Sequence, residues 1–139
     1  MPEPRHTRAL VDTSVVIGLA QVETASLPRE LAVSAVTFAE LAAGPHATTD
    51  PAERARRQDR LQRAEATFDP LPVDAAVARA YGRVYAAVSV AGRKARGRRA
   101  LDLLIAATAV AAGLPLYTSN PEDFRELAGI LEIVALEPS

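Results

Sequence analysis

Short apolar runs alternate with amphipathic stretches along the chain, and each change of period marks an element. Arg8-Ala-Leu-Val-Asp12 reads as a short buried strand that ends on an acid, with a short helix following from Thr13 to Ala20. Leu31 to Ser34 predicts a second strand. Thr37, with Glu40 three residues later, has the spacing of a capping box at the start of the next helix, and Gly44-Pro45 ends it. Asp50-Pro51 supplies a cap and a first-turn proline for a third helix that reaches about Ala66. Its segment Glu53-Arg-Ala-Arg-Arg-Gln-Asp-Arg60 is so polar that most of this helix must be solvated.

Phe68 to Val73 predicts a weak strand, confined to an edge by Pro70 and Pro72. Asp74 caps a longer helix whose Val77, Tyr81, Val84 and Val88 share one apolar face. Gly92 to Arg99 reads as a basic loop. Leu101 to Ala112 is apolar on nearly all sides, which predicts a central buried helix ended by Gly113. Leu114 to Thr118, Pro121 to Leu127 and Leu131 to Val134 then read as strand, short helix and strand. Strands alternating with helices predict an α/β fold, a mainly parallel sheet sandwiched between helices. No repeat, low-complexity tract or linker divides residues 1–139, so one domain is expected.

Composition narrows the chemistry. A chain of 139 residues can bury one sizeable core, and 49% hydrophobic with 24% charged residues is an ordinary soluble balance. Aromatics are 4% and Trp is absent, so Ala, Val and Leu must fill the interior. There is no Cys, which excludes disulfides and thiolate metal sites, and two histidines, His6 and His46, leave no room for a His-rich zinc site. A net charge of -1 argues against a general polyanion binder, yet Arg93, Lys94, Arg96, Arg98 and Arg99 crowd into one local basic patch. Met1 to Arg8 is polar, unlike a signal peptide. The longest apolar stretch, Leu103 to Leu116, is broken by Gly113 and Pro115 and falls short of the ~20 residues a membrane span needs. A cytoplasmic protein with no membrane partner is expected.

The acids carry the functional signal. In open parallel sheets ligands bind at the carboxyl ends of the strands, where Asp12 falls, followed by the hydroxyls of Thr13 and Ser14. Taken alone, Asp12 reads as a cap for the next helix, and Glu40 reads equally as the capping partner of Thr37. Asp102 is different, because it is the one acid of a helix expected to be deeply buried. The helix dipole accounts for tolerance of that acid, not for three acids converging on one rim. Carboxylates so gathered repel one another, and a hard divalent cation, Mg²⁺ or Mn²⁺, relieves the repulsion. Such ions activate water and clamp a phosphodiester, so with the basic loop as a phosphate-holding arm the set points to a phosphodiesterase.

The blocks Leu10-Val-Asp12-Thr-Ser14, Val36-Thr-Phe-Ala-Glu40-Leu, Leu101-Asp102-Leu-Leu-Ile-Ala-Ala-Thr-Ala and Leu116-Tyr-Thr-Ser-Asn120-Pro-Glu-Asp123-Phe124 resemble the PIN-domain ribonucleases, in particular the VapC-type toxins of bacterial toxin–antitoxin pairs. The resemblance spans nearly the whole chain. It implies a PIN-like three-layer sandwich, Mg²⁺ or Mn²⁺ dependence and cleavage of RNA, with tRNA or rRNA as the substrate class. It also implies a homodimer and a small VapB-like antitoxin that blocks the acidic pocket. Asp12, Glu40 and Asp102 match the family's first three acids. Many relatives carry Asp where this chain has Asn120, an uncharged residue able to coordinate through its carbonyl or bind a metal-held water; Asp123 is the candidate fourth metal ligand, against the alternatives that it caps the short helix containing Phe124 and that the site has three carboxylates.

Rival readings fare less well. A haloacid-dehalogenase-type phosphatase needs an Asp where Ser14 stands, and a dinucleotide enzyme needs a Gly-rich turn after the first strand. A flap-type DNA nuclease is usually larger, with a threading insertion. A catalytically dead binding module would have no reason to keep all three principal acids. Arg93, Lys94, Arg96, Arg98 and Arg99 are assigned to RNA contact over plain solvated surface, because they immediately precede Asp102. The stripe Val77-Tyr81-Val84-Val88 is a candidate dimer face, although such faces more often meet their own core.

Overall fold

The computed structural model describes residues 6–92 and 97–137. Four strands, β1 (Arg8–Val11), β2 (Glu30–Ala32), β3 (Leu116–Thr118) and β4 (Ile133–Ala135), form an all-parallel sheet in the order β2-β1-β3-β4. Around it lie α1 (Thr13–Ile17), α2 (Ala35–Ala43), α3 (Pro51–Thr67), α4 (Ala75–Val90) and α5 (Arg98–Ala112), with a 3-10 helix at Pro121–Leu127. Parallel strands need crossovers that cover both faces of the sheet, so β1 is apolar on both sides. Leu10 enters the core formed with α4 and α5, while Ala9 and Val11, one residue either way, enter the core formed with α1, α2 and α3. The expected three-layer α/β sandwich is the observed one. Among the described residues no helix is long and apolar enough to cross a membrane.

Local signals fared well where one residue type dominates the backbone. Asp50 caps α3 by accepting from the Ala52 N–H, Asp74 caps α4 by accepting from Val77, and Gly113 ends α5 in the left-handed region at φ 67°. In α3 only Ala64 is buried, as its polarity required. The α4 stripe turns inward: Val77, Val84 and Val88 lie in the protein's own core, so this face is not the dimer surface the sequence offered.

Three expectations are corrected. The cap of α2 is Ser34, whose Oγ accepts from Val36 N at 3.0 Å, and Thr37 lies inside the helix with its hydroxyl buried. Ser34 wins because it is the residue at the strand end that holds extended backbone. The Phe68–Val73 segment forms no strand, only a single parallel bridge between Ser34 and Leu71, since Pro70 and Pro72 have no N–H to extend a ladder. The supposed loop ends early, because α5 begins at Arg98, which puts Arg98 and Arg99 on the helix and Asp102 in its second turn. Arg93, Lys94 and Arg96 lie outside the described residues.

Strand order positions the site. The chain passes from β1 to β2 on one side, then returns across to β3 on the other, so the carboxyl ends of β1 and β3 flank a topological switch point. Asp12 follows β1 directly, Thr118 closes β3, and α2 leaves β2 at the same rim.

Candidate active site

Asp12 caps α1 and is also the most enclosed acid of the site, 5% exposed. Its Oδ1 accepts from Ser14 Oγ at 2.6 Å and from Val15 N at 3.2 Å, and its Oδ2 accepts from Thr118 Oγ1 at 2.5 Å. Thr118 in turn accepts from Asn120 N at 2.9 Å, and Ser14 Oγ accepts from Ser119 N at 3.3 Å. The same hydroxyls therefore hold the carboxylate and fasten the β3 exit loop to it. Burial pushes the Asp12 carboxyl above its ordinary range, and the Ser14 and Thr118 hydrogen bonds, with the Val15 and Ser14 amides, oppose that push. Capping and site-building are one role here. Of these partners Thr118 had no reading in the sequence, since 106 residues separate it from Asp12.

Glu40 comes from the second turn of α2. Its Oε1 accepts from Thr13 Oγ1 at 2.8 Å, and Thr13 Oγ1 lies 3.0 Å from Thr37 Oγ1. Thr13 has one hydroxyl proton, so its two acceptors, Glu40 Oε1 and Thr37 Oγ1, share it. The residue read as a helix cap is thus the second partner of the hydroxyl that aims Glu40. The α2 cap is also tied to α5, because Ser34 Oγ and Thr108 Oγ1 lie 3.1 Å apart in the interior.

Asp102 is half-buried on α5, less enclosed than a fully buried helix would have made it. Its carboxyl is pushed up to about 6, first by burial and then by the negative charges of Glu40, Asp123 and Asp12, with Arg99 opposing. That set of perturbing charges identifies the acids that share its surroundings. Asp123 is exposed, and it lies within the 3-10 helix Pro121–Leu127, whose cap position is Asn120. Asp123 is therefore not the cap of that helix.

Arg99 and Arg98 part company. The Arg99 side chain is 13% exposed, with Nη2 on Glu126 Oε2 at 3.0 Å and Nη1 donating to the Asp123 carbonyl. It ties α5 to the Asp123 segment, and a guanidinium so engaged is not presented to a phosphate. Arg98 is exposed and lines a groove of about 600 Å³ that also contains Thr13 and Glu40.

Donor chemistry decides whether the acids fit a divalent cation. The donors are hard oxygens, and burial followed by their mutual repulsion raises Asp102, the situation a hard dication relieves. Among the described residues no three His, Cys, Asp or Glu side chains stand close enough to cage one ion. The set fits an ion such as Mg²⁺, which keeps several waters and takes one or two carboxylates directly.

A stability prediction follows from Asp102. Between its ordinary value of 3.8 and about 6, the unfolded chain has released this proton while the folded chain keeps it. Folding stability therefore falls as pH rises through that window, and the penalty is complete above it. In metal-free buffer Asp102→Asn melts higher than the wild type at about pH 7.5, and the gap closes near about pH 4. A lower or unchanged melting temperature at the higher pH would show that burial and the neighbouring acids do not disfavour the charged Asp102.

Known proteins bear on this geometry. The PIN domain family profile matches residues 9–130. Ribonuclease VapC5 of Mycobacterium tuberculosis (strain ATCC 25618 / H37Rv) is 35% identical over 127 residues, covering 89% of this chain and 90% of that protein. Ribonuclease VapC8 of Mycobacterium tuberculosis (strain CDC 1551 / Oshkosh) is 41% identical over 101 residues, covering 72% and 88% respectively. A chain in the crystal structure of VapBC-5, a member of the VapBC family of toxin–antitoxin systems from Mycobacterium tuberculosis, superposes with a TM-score of 0.81 at 36% identity over 94% of this chain and 99% of that one. With the acids gathered at the switch point of a matching sheet, the chain belongs to the PIN-domain family, in its VapC-type branch.

Proposed function

We propose that this protein is a divalent-metal-dependent endoribonuclease acting as the toxin of a toxin–antitoxin pair. The observation that carries the reading is the placement of Asp12, Glu40, Asp102 and Asp123 around the carboxyl ends of the strands, with the Asp102 carboxyl pushed up first by burial and then by the other three acids. Relatives named ribonucleases supply the substrate class. Asp12, Glu40, Asp102 and Asp123 would hold Mg²⁺ or Mn²⁺, one or two of them directly and the others through the waters the ion keeps. When bound, the cation supplies charge neutralisation at the phosphodiester and an activated water.

The chain's own residues set up that chemistry. Ser14 and Thr118 fix both oxygens of Asp12, so it cannot swing away from the rim. Thr13, which also meets Thr37, holds one oxygen of Glu40 and leaves the other to the site. Asp102 must shed its proton before the cluster carries full charge, so cation affinity weakens as pH falls below about 6. Arg99 secures the Asp123 segment through its backbone and through Glu126. The fourth position has a neutral Asn120, so the fourth charge comes from Asp123.

Asp12→Asn, Glu40→Gln and Asp102→Asn each reduce Mg²⁺-dependent RNA cleavage at least ~100-fold while remaining folded, since the stabilisation lost is worth several kcal/mol of barrier. Asp12→Asn keeps its packing because the Ser14 and Thr118 hydroxyls rotate to suit an amide. Cleavage of RNA but not DNA, read on gels beside circular dichroism, supports the reading. Near-normal activity in any folded variant removes that acid from the site, and cleavage of DNA would favour the rival nuclease class.

Charge count governs affinity at hard-cation sites. Asn120→Asp therefore tightens Mg²⁺ binding in calorimetric titration, and Asp123→Asn weakens it. Unchanged affinity in Asp123→Asn would leave a site of three acids.

Relatives are described in complexes of toxin and antitoxin, so a small VapB-like antitoxin is the proposed partner, on a homodimeric toxin in the cytoplasm. Co-expression with the neighbouring gene should yield a co-purifying complex, and light scattering of the free protein should give twice the chain mass. A monomer at high micromolar concentration removes the dimer.

A further inference from the structure

The five arginines of α3 are not equivalent. Arg54 donates to the Pro45 and Thr48 carbonyls, and Arg56 and Arg57 both pair with Glu53, with Arg57 also on the Gly44 carbonyl. Among the described residues the side chains of Arg60 and Arg63 have no hydrogen bond or ion pair, and neither does that of Arg98 on α5. These three arginines line two adjoining grooves. The first, about 600 Å³, contains Arg60 and Arg98 together with Thr13 and Glu40 of the acid cluster. The second, about 410 Å³, contains Arg60 and Arg63 and shares Ile17 with the first.

Helix periodicity makes the track continuous. Arg57, Arg60, Ala64 and Thr67 follow at steps of three and four, so they share one face of α3, while Asp59 and Glu65 line neither groove. The acid on this face, Glu53, is neutralised by its two arginines. Between the cations lie exposed or half-buried apolar side chains: Ile17 at 49%, Leu101 at 38% and Phe68.

We propose that this paired groove is the RNA track, in which Arg63, Arg60 and Arg98 hold successive phosphates of a single strand leading to Glu40 and Asp102. The inference rests on the ribonuclease reading for what happens at the end of the track, but not for binding along it. Unpaired guanidinium groups complement phosphates, and apolar patches between them suit ribose and base faces. A concavity of this size admits an extended strand. An A-form duplex, which shows its phosphates across a wide shallow groove, suits it less well. Arg60 and Arg63 of α3 are thus added to the contacts expected from the stretch preceding Asp102, with Arg98 shared.

Binding of a labelled single-stranded oligoribonucleotide to the full chain is measured in EDTA, where no cleavage intervenes, across a salt series. Each phosphate contact on a single strand contributes about 0.7 to the log–log salt slope. The triple variant Arg60→Ala, Arg63→Ala, Arg98→Ala should therefore flatten the slope by about two and weaken binding at least tenfold at low salt. Arg79→Ala with Arg83→Ala, on α4 outside both grooves, should leave the slope within about half a unit, and the matching duplex should bind more weakly than the single strand. An unchanged slope in the triple variant overturns the proposal, as does equal loss in the α4 control. Intact RNA binding with loss of the co-expressed protein partner would assign the groove to that partner. A wild type that binds RNA along this track but never cleaves it would sink the nuclease reading and leave the track standing.

Discussion

The rest of the site depends on keeping one desolvated carboxylate in place. Asp12 sits where β1 ends and the sheet's topology switches direction, and burial there works against its charge. The fold answers with donors from two sources: Ser14 and the Val15 amide at the start of α1, and Thr118 at the end of β3. Each donor is itself anchored, since Ser14 and Thr118 accept from the amides of the loop that leaves β3. Removing the acid's hydrogen bonds would leave an uncompensated buried charge, which costs far more than an ordinary surface contact. The first helix, the central strand pair and the exit loop are thereby brought to one register around a single carboxylate.

Around that point the fold concentrates like charge. Glu40 arrives on α2 and Asp102 on α5, two helices tied in the core by Ser34 and Thr108, while Asp123 arrives on the 3-10 helix held by Arg99. Such a cluster is unfavourable for folding by itself, and with burial it pushes the Asp102 carboxyl up. Strain of this kind is tolerated where binding later relieves it. Arg99 and Glu126 show the complementary device, a nearly enclosed ion pair that spends no exposed charge and fixes a segment of the rim.

The near-neutral net charge conceals this arrangement. Acids gather at the strand ends, most α3 arginines are consumed by carbonyls and by Glu53, and the unpaired ones line a single concave face. The sum of charges does not describe such a surface, because a local field depends on which charges are paired.

What the sequence determined by itself is what local chemistry controls. A caps-and-breakers reading located Asp50, Asp74 and Gly113, because a side chain two or three residues from the backbone group it satisfies needs no tertiary help. Alternation of apolar runs and amphipathic stretches likewise identified the sandwich, and the position of Asp12 after the first strand placed it at the ligand-binding edge. The rest was decided by partners far apart in the chain. Thr37 has the spacing of a cap, yet Thr13, 24 residues away, claims its hydroxyl. Arg99 belongs to a basic run, yet Glu126, 27 residues on, takes its guanidinium inside. Pairing across the sheet, and with it the choice of which arginines are left unpaired along α3, appears only once packing brings distant elements together, because a hydrogen bond or ion pair depends on separation in space and not on separation in sequence.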